Sequence, residues 1–181
     1  PTRRWTGTHI VPCWFGVDDK NSPDKAQATQ SIEAIEAIIE EERSLSPGSA
    51  IHLAGTSQGG SIGWGVVLRG RVRVDSFTSI AGMVLPWFKE EIKAGRCSPF
   101  LPTPVYVRTG DEDKVYSPAR VLKQLQSLQQ HQSQETATAS EDSEGKHAVL
   151  NIAGLRVSFV REKGGHIIRS SKWAAKLDVL I

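Results

Sequence analysis

Two rhythms of apolar and polar residues alternate along this chain. Between residues 22 and 45, Ile32, Ile35, Ile38, Ile39 and Leu45 recur at helical spacing in a charged background, which predicts an amphipathic helix. Pro23 would lie near its first turn, and Pro47-Gly48 would end it. Short apolar runs bounded by turn residues predict strands at 50–54, 76–82, 104–108 and 155–160. Helical patterns follow at 58–68, 118–130 and 171–180. Strands separated by helices imply an α/β fold, a mostly parallel sheet covered by helices on both faces. Two stretches have neither rhythm. Residues 1–22 read as a loop carrying the aromatic cluster Trp5, Trp14 and Phe15, which suits core or a cleft wall. Residues from about 129 to 147 are rich in Gln, Ser, Thr and Glu and read as a mobile, low-complexity insertion.

Composition narrows the class. A chain of 181 residues with 39 % hydrophobic content and net charge +2 reads as a single domain, residues 1–181, able to bury a core. Acidic and basic residues are mixed, so there is no electrostatic footprint for nucleic acid. Arg69, Arg71 and Arg73 read as a solvated turn, and Glu33, Glu36, Glu40, Glu41 and Glu42 as a solvated helix face. Cys13 and Cys97 match no metal spacing, and unlinked thiols of a cytoplasmic protein are favoured over a disulfide. No apolar run approaches the roughly 18 residues of a transmembrane segment, and no secretory signal is visible.

The candidate chemistry begins at the strand ending Ala54-Gly55-Thr56-Ser57-Gln58-Gly59-Gly60, where Gly-x-Ser-x-Gly passes from an apolar run into helical spacing. In that context the motif marks a nucleophile elbow, a sharp turn that lifts Ser57 above the sheet, with Gly55 and Gly59 where a Cβ would strike backbone. Parallel sheets gather their chemistry at the carboxyl ends of the strands. Asp111 and Asp113 follow the third strand there, and His166 follows the fourth on a glycine-rich loop. The order Ser, Asp, His is that of the α/β-hydrolase triad. His52 reads as a packed strand residue, His131 and His147 flank or occupy the insertion, and His9 sits in the first loop. Both aspartates compete for the orienting role. Asp111 suits a bond to its own turn, and the hydrolase topology favours Asp113.

Pro1-Thr2-Arg3, Trp14-Phe15, Gly55-Thr56-Ser57-Gln58-Gly59-Gly60, residues 79–86, Thr103-Pro104-Val105, Gly110-Asp111-Glu112-Asp113 and Gly165-His166 together make the chain resemble the acyl-protein thioesterase/lysophospholipase group of phospholipase/carboxylesterases. The resemblance covers essentially all of the chain outside the low-complexity stretch. It implies an α/β-hydrolase fold with Ser57 as nucleophile, Asp113 as orienting carboxylate, His166 as general base and acid, and the Gln58 backbone N–H as an oxyanion donor. It implies an acyl-ester or thioester substrate, extending to S-acylated proteins and lysophospholipids, and it needs no metal or cofactor. Met83, Leu85 and Trp87 become candidates for the wall of an acyl channel, with ordinary core as their other reading. The sequence departs from the group at Gly16, Thr56, Thr109 and the Lys114–Ser117 segment.

In that group a His-Gly-x-Gly loop and early strands precede the Pro-Thr-Arg stretch, whereas this sequence starts at Pro1. The expectation is an N-terminally truncated form, part of a longer protein or a degenerate copy, lacking a second oxyanion donor and leaving the nucleophile strand with an open edge. Two alternatives follow: a catalytically impaired remnant serving as a binding module, and a carboxylesterase for small esters.

Overall fold

The computed structural model describes residues 2–5, 10–18, 22–100, 102–129, 140–141 and 146–166. The helix expected at 171–180 lies outside the described residues, as do His9, His131 and nearly all of the low-complexity stretch. The first segment is not loop throughout. Thr2–Trp5 (β1) and Ile10–Cys13 (β2) form an antiparallel pair, with Thr2 opposite Cys13 and Trp5 opposite Ile10. Pro12 obscured this in the sequence, yet each strand of a two-stranded ribbon is an edge, where a missing N–H can face outward.

Lys25–Leu45 forms α1, capped by Asp24, whose Oδ1 accepts from the Gln27 N–H at 3.0 Å. Pro23 therefore precedes the cap. Ala28, Ile32 and Ile39 are buried along one stripe, whereas Ile38 and Leu45 are exposed. Glu36 departs from the solvated face expected of it. It is buried, with its Oε1 3.3 Å from the Arg69 Nε, while Glu33 takes the Arg69 Nη2 at 3.0 Å. Burial pushes the Glu36 carboxyl up, only partly offset by the Arg69 and Arg71 guanidiniums. Arg69 thus ties α1 to the next helix rather than decorating a turn.

The main sheet contains His52–Thr56 (β3), Ser76–Ile80 (β4), Val105–Gly110 (β5), Ser140–Glu141 (β6), His147–Ile152 (β7) and Leu155–Glu162 (β8), in the order β3-β4-β5-β8-β7-β6. The first four of that order are mutually parallel, and β8-β7-β6 are antiparallel. Helices Gln58–Arg69 (α2), Phe88–Lys93 (α3) and Pro118–Gln129 (α4) fill the connections. Strands β6 and β7 are additions to the four expected. They turn the chain back into β8 through a two-residue hairpin, Ala153-Gly154, with Ile152 paired to Leu155.

Burial follows a period of two. Phe77, Ser79, Val105, Val107, Val157 and Phe159 are buried, while the alternate positions Tyr106 and Arg156 are exposed. The connections β3→β4→β5→β8 all step the same way along the sheet, so right-handed crossovers carry α2, α3 and α4 to one face. On that face Trp64 of α2 stands edge-on to Phe77, with centroids 5.6 Å apart. Because β3, β4, β5 and β8 run parallel, their carboxyl ends share a single rim, and the candidate residues lie there.

Candidate active site

Strand β3 ends at Thr56, α2 begins at Gln58, and Ser57 is the whole turn between them. Its backbone sits at φ 55°, ψ −121°, a conformation that costs a side-chain-bearing residue on the order of 1–3 kcal/mol. Hydrogen bonds hold it there: the Ser57 N–H donates to the Ile80 carbonyl at 2.9 Å, and its own carbonyl accepts from the Ser61 N–H at 3.1 Å. Because the helix folds straight back over the strand, a Cβ on Gly55 would lie 2.4 Å from the Gly59 carbonyl carbon. Gly55 is required as expected. Gly59 is less constrained, since its Cβ would meet only Trp14 Nε1 at 3.3 Å. The second tight approach belongs to Gly60, where a Cβ would fall 2.8 Å from Ser79 Oγ.

His166 reaches Ser57 from the loop after β8. Its Nε2 lies 3.0 Å from Ser57 Oγ, and its Nδ1 lies 2.9 Å from Asp113 Oδ2. The other Asp113 oxygen accepts from the backbone N–H groups of Val115 and Tyr116, each at 2.8 Å. Burial pushes the Asp113 carboxyl up, but hydrogen bonds from Tyr116 N–H, His166 and Val115 N–H outweigh it and hold the group below its usual value. Asp111 faces elsewhere, its carboxylate paired with Arg161 and its N–H bonded to the Glu162 carbonyl at 2.7 Å. Of the two aspartates left open by the sequence, Asp113 alone is in the hydrogen-bonded chain. The Asp111 turn is bound to the end of β8, and the Glu112 N–H donates to the Gly164 carbonyl at 2.8 Å, fixing the histidine loop against it.

Gln58 occupies the first position of α2, so its backbone N–H has no acceptor within the helix. Its side chain has a role the sequence did not reveal. Oε1 accepts from the Trp14 N–H at 3.1 Å, and Nε2 donates to the Phe15 carbonyl at 3.0 Å, clamping the segment after β2 over the elbow. Ser31 Oγ donates to the Trp14 carbonyl at 2.5 Å from the side of α1.

These elements enclose a cleft of about 1130 Å³ whose walls include Trp14, Phe15, Ser57, Met83, Leu85 and Tyr116. Met83 and Leu85 line this cleft. Trp87 does not. At φ −69°, ψ −23° its backbone has already turned helical, which ends the alternation, and its ring lines a separate hollow with Lys25 Nζ 5.9 Å above it. Tyr116, unmarked in the sequence, lies beside the site with its ring centroid 5.5 Å from that of His166. Burial pushes its phenol up, Arg120 opposes this and Asp113 adds to it. His52 is a strand residue whose Nδ1 lies 2.7 Å from Ser76 Oγ, and His147 opens β7. Cys13 and Cys97 are not bridged. Among the described residues no cluster of His, Cys, Asp and Glu could hold a metal ion, and no helix is long and apolar enough to cross a membrane.

No protein-family model matches the sequence, and no curated protein matches it either. Solved structures do match. SOBER1 of Arabidopsis thaliana superposes with a TM-score of 0.66 at 19 % identity, over 94 % of this chain and 73 % of that one. A carboxylesterase from Mesorhizobium loti gives 0.60 at 16 % identity, over 92 % and 67 %. The Bacillus cereus carboxylesterase gives 0.58 at 14 %, over 92 % and 66 %. The chain has the α/β-hydrolase fold. At these identities the likeness concerns architecture. On this fold Ser57 stands at a strand-turn-helix junction, and Asp113 and His166 follow the ends of β5 and β8.

Proposed function

We propose that the chain is a serine hydrolase that cleaves carboxylic esters or thioesters of acyl groups through an acyl-enzyme. One observation carries this reading: Asp113, His166 and Ser57 form a continuous hydrogen-bonded chain, with links of 2.9 and 3.0 Å, at the strained turn of a nucleophile elbow. The chemistry follows from the geometry. As Ser57 Oγ bonds to the carbonyl carbon, its proton passes to His166 Nε2, and the carbonyl π pair moves onto oxygen. The Gln58 N–H, left over from the first turn of α2, donates to that oxyanion. One such donor is worth about 2.7–4 kcal/mol in the transition state. Collapse expels the alcohol or thiol, which takes the proton from His166. Water, deprotonated by the same nitrogen, then releases the acid and restores Ser57. Asp113 keeps the proton on His166 Nδ1, so that Nε2 is the basic nitrogen.

The resemblance to acyl-protein thioesterases and lysophospholipases extends the substrate to S-acylated proteins and lysophospholipids, for which Met83 and Leu85 would wall the acyl chain. A carboxylesterase for small esters is the nearer alternative. A series of p-nitrophenyl esters of increasing acyl length separates the two: a rising kcat/KM supports the long-chain reading, and a falling one the small-ester reading. The hydrolase itself is tested with a fluorophosphonate probe and p-nitrophenyl acetate. The protein should label at Ser57 and turn over the ester, and Ser57→Ala should lose both, with kcat down on the order of 10⁴-fold or more. Turnover that survives Ser57→Ala would remove the assignment. An unlabelled, inactive but folded protein would favour the binding module.

A further inference from the structure

The charges around the cleft differ from those on the rest of the same elements. Lys89 and Arg120 both line it, and among the described residues no Asp or Glu does. The half-buried Lys89 lies in the first turn of α3 and the exposed Arg120 in the first turn of α4, and neither makes an ion pair among the described residues. The other cations of α3 and of the segment just after it are paired, whereas Lys123 of α4, outside the cleft, has no ion pair among the described residues. Lys93 Nζ holds Glu90 at 3.2 Å, Arg96 Nε holds Glu91 at 2.6 Å, and Arg69 and Arg71 share Glu33 and Glu36. Gln124 lines the cleft too, one turn beyond Arg120 on the same side of α4. Its Oε1 accepts from the Val84 N–H at 3.0 Å, and its Nε2 donates to the Val84 carbonyl at 2.8 Å, which binds the segment leading into α3 against α4. Arg120 and Tyr116 line the same cleft, and the Tyr116 ring neighbours that of His166.

We infer that the substrate taken by this cleft carries an anionic group, a carboxylate or a phosphate, held by Lys89 and Arg120. The inference rests on the serine-hydrolase reading and adds a substrate class to it. Two like charges lining a concave, partly apolar site focus an attractive potential on an anion, while the Asp113 carboxylate beside the site is taken up by His166 and the backbone N–H groups of Val115 and Tyr116. A hydrogen bond to a charged partner there is strong enough to shift affinity about tenfold or more. The neutral parts of the substrate would lie along Met83 and Leu85.

The test compares kcat/KM for mono-p-nitrophenyl glutarate with that for p-nitrophenyl valerate, each measured above its own spontaneous hydrolysis at the assay pH, since the glutarate carboxylate also attacks its own ester intramolecularly. The wild-type ratio should favour the glutarate about tenfold or more. Lys89→Gln and Arg120→Gln should each lower that ratio several-fold, Arg120→Lys should restore part of it, and added salt should erode it. Lys93→Gln, outside the cleft, should leave it unchanged. A phosphate source is distinguished from a carboxylate one if butyl phosphate competes with valerate hydrolysis more strongly than butyrate does. Ser57-dependent hydrolysis with no preference for the anion, or a preference indifferent to both substitutions, would overturn the inference and leave the hydrolase standing. If neither ester is hydrolysed, the hydrolase reading fails, and calorimetric titration of the Ser57→Ala protein still decides the cleft's charge preference. Monomethyl glutarate binding that exceeds methyl valerate binding and weakens in Arg120→Gln supports it, and equal or absent binding refutes it.

Discussion

At Asp113 three hydrogen bonds converge on one buried carboxylate, two from backbone N–H groups and one from His166. Because the folded pKa lies below the ordinary 3.8, the ionised group favours the folded state, and that contribution is complete above the unfolded value. It is lost as pH falls from about 3.8 through the lower folded value. Asp113→Asn has no such charge to lose. In denaturant titrations the stability gap between wild type and variant should be constant near neutral pH and shrink below 3.8. A gap that stays the same at both ends would show that the carboxylate is not held down. The same substitution presents His166 with an amide in place of a carboxylate, and should lower kcat on the order of 10⁴-fold by favouring the wrong imidazole tautomer. The Gly-x-Ser-x-Gly turn was legible because it is local in sequence, whereas the contacts among Ser57, Asp113 and His166 span 109 residues. Asp113 was favoured over Asp111 from the hydrolase topology, and the structure pairs Asp111 with Arg161, fifty positions away.

Elements were legible where one rhythm ran long enough and obscured where a turn lacked its usual residues. Strand β7 merges with β8 in the sequence because the hairpin between them is Ala153-Gly154, without the Asn-Gly or Asp-Gly that marks such a turn. Both residues are left-handed, Ala153 at φ 52° and Gly154 at φ 82°, as a two-residue type I′ turn requires. For alanine that conformation costs about 1–2 kcal/mol. Ala153→Asn should therefore stabilise the fold by about 1 kcal/mol, read as a higher urea midpoint with an unchanged slope. A lower midpoint would mean that the alanine methyl makes contacts worth more than the strain. In α1 the period was read correctly, but the fate of Glu36 was not. Its burial depends on Arg69 arriving from α2, which no pattern within α1 can announce.

For the whole molecule, the parallel order β3-β4-β5-β8 explains why Ser57, Asp113 and His166 meet although 109 residues separate the first from the last. Each follows a strand that ends at the same rim. Lys89 and Arg120 reach the cleft from two helices far apart in sequence, so no local pattern could pair them. The same order leaves β3, the strand that delivers the nucleophile, at one end of the described sheet, paired on one side with β4. At the opposite end β6 is only two residues long, a length that offers little template for pairing. Strand β3 is five residues long, carries no charge, and has Ala54 and Thr56 exposed. Such an edge recruits other strands, so the 181-residue chain should self-associate with rising concentration, as followed by light scattering after size exclusion. Ala54→Lys sets a charge beside the unpaired backbone and should shift the population toward monomer. Ile38→Lys, which removes an exposed apolar side chain from α1 instead, should not. If the wild-type chain stays monomeric throughout, or if both substitutions act alike, the association does not run through the β3 edge.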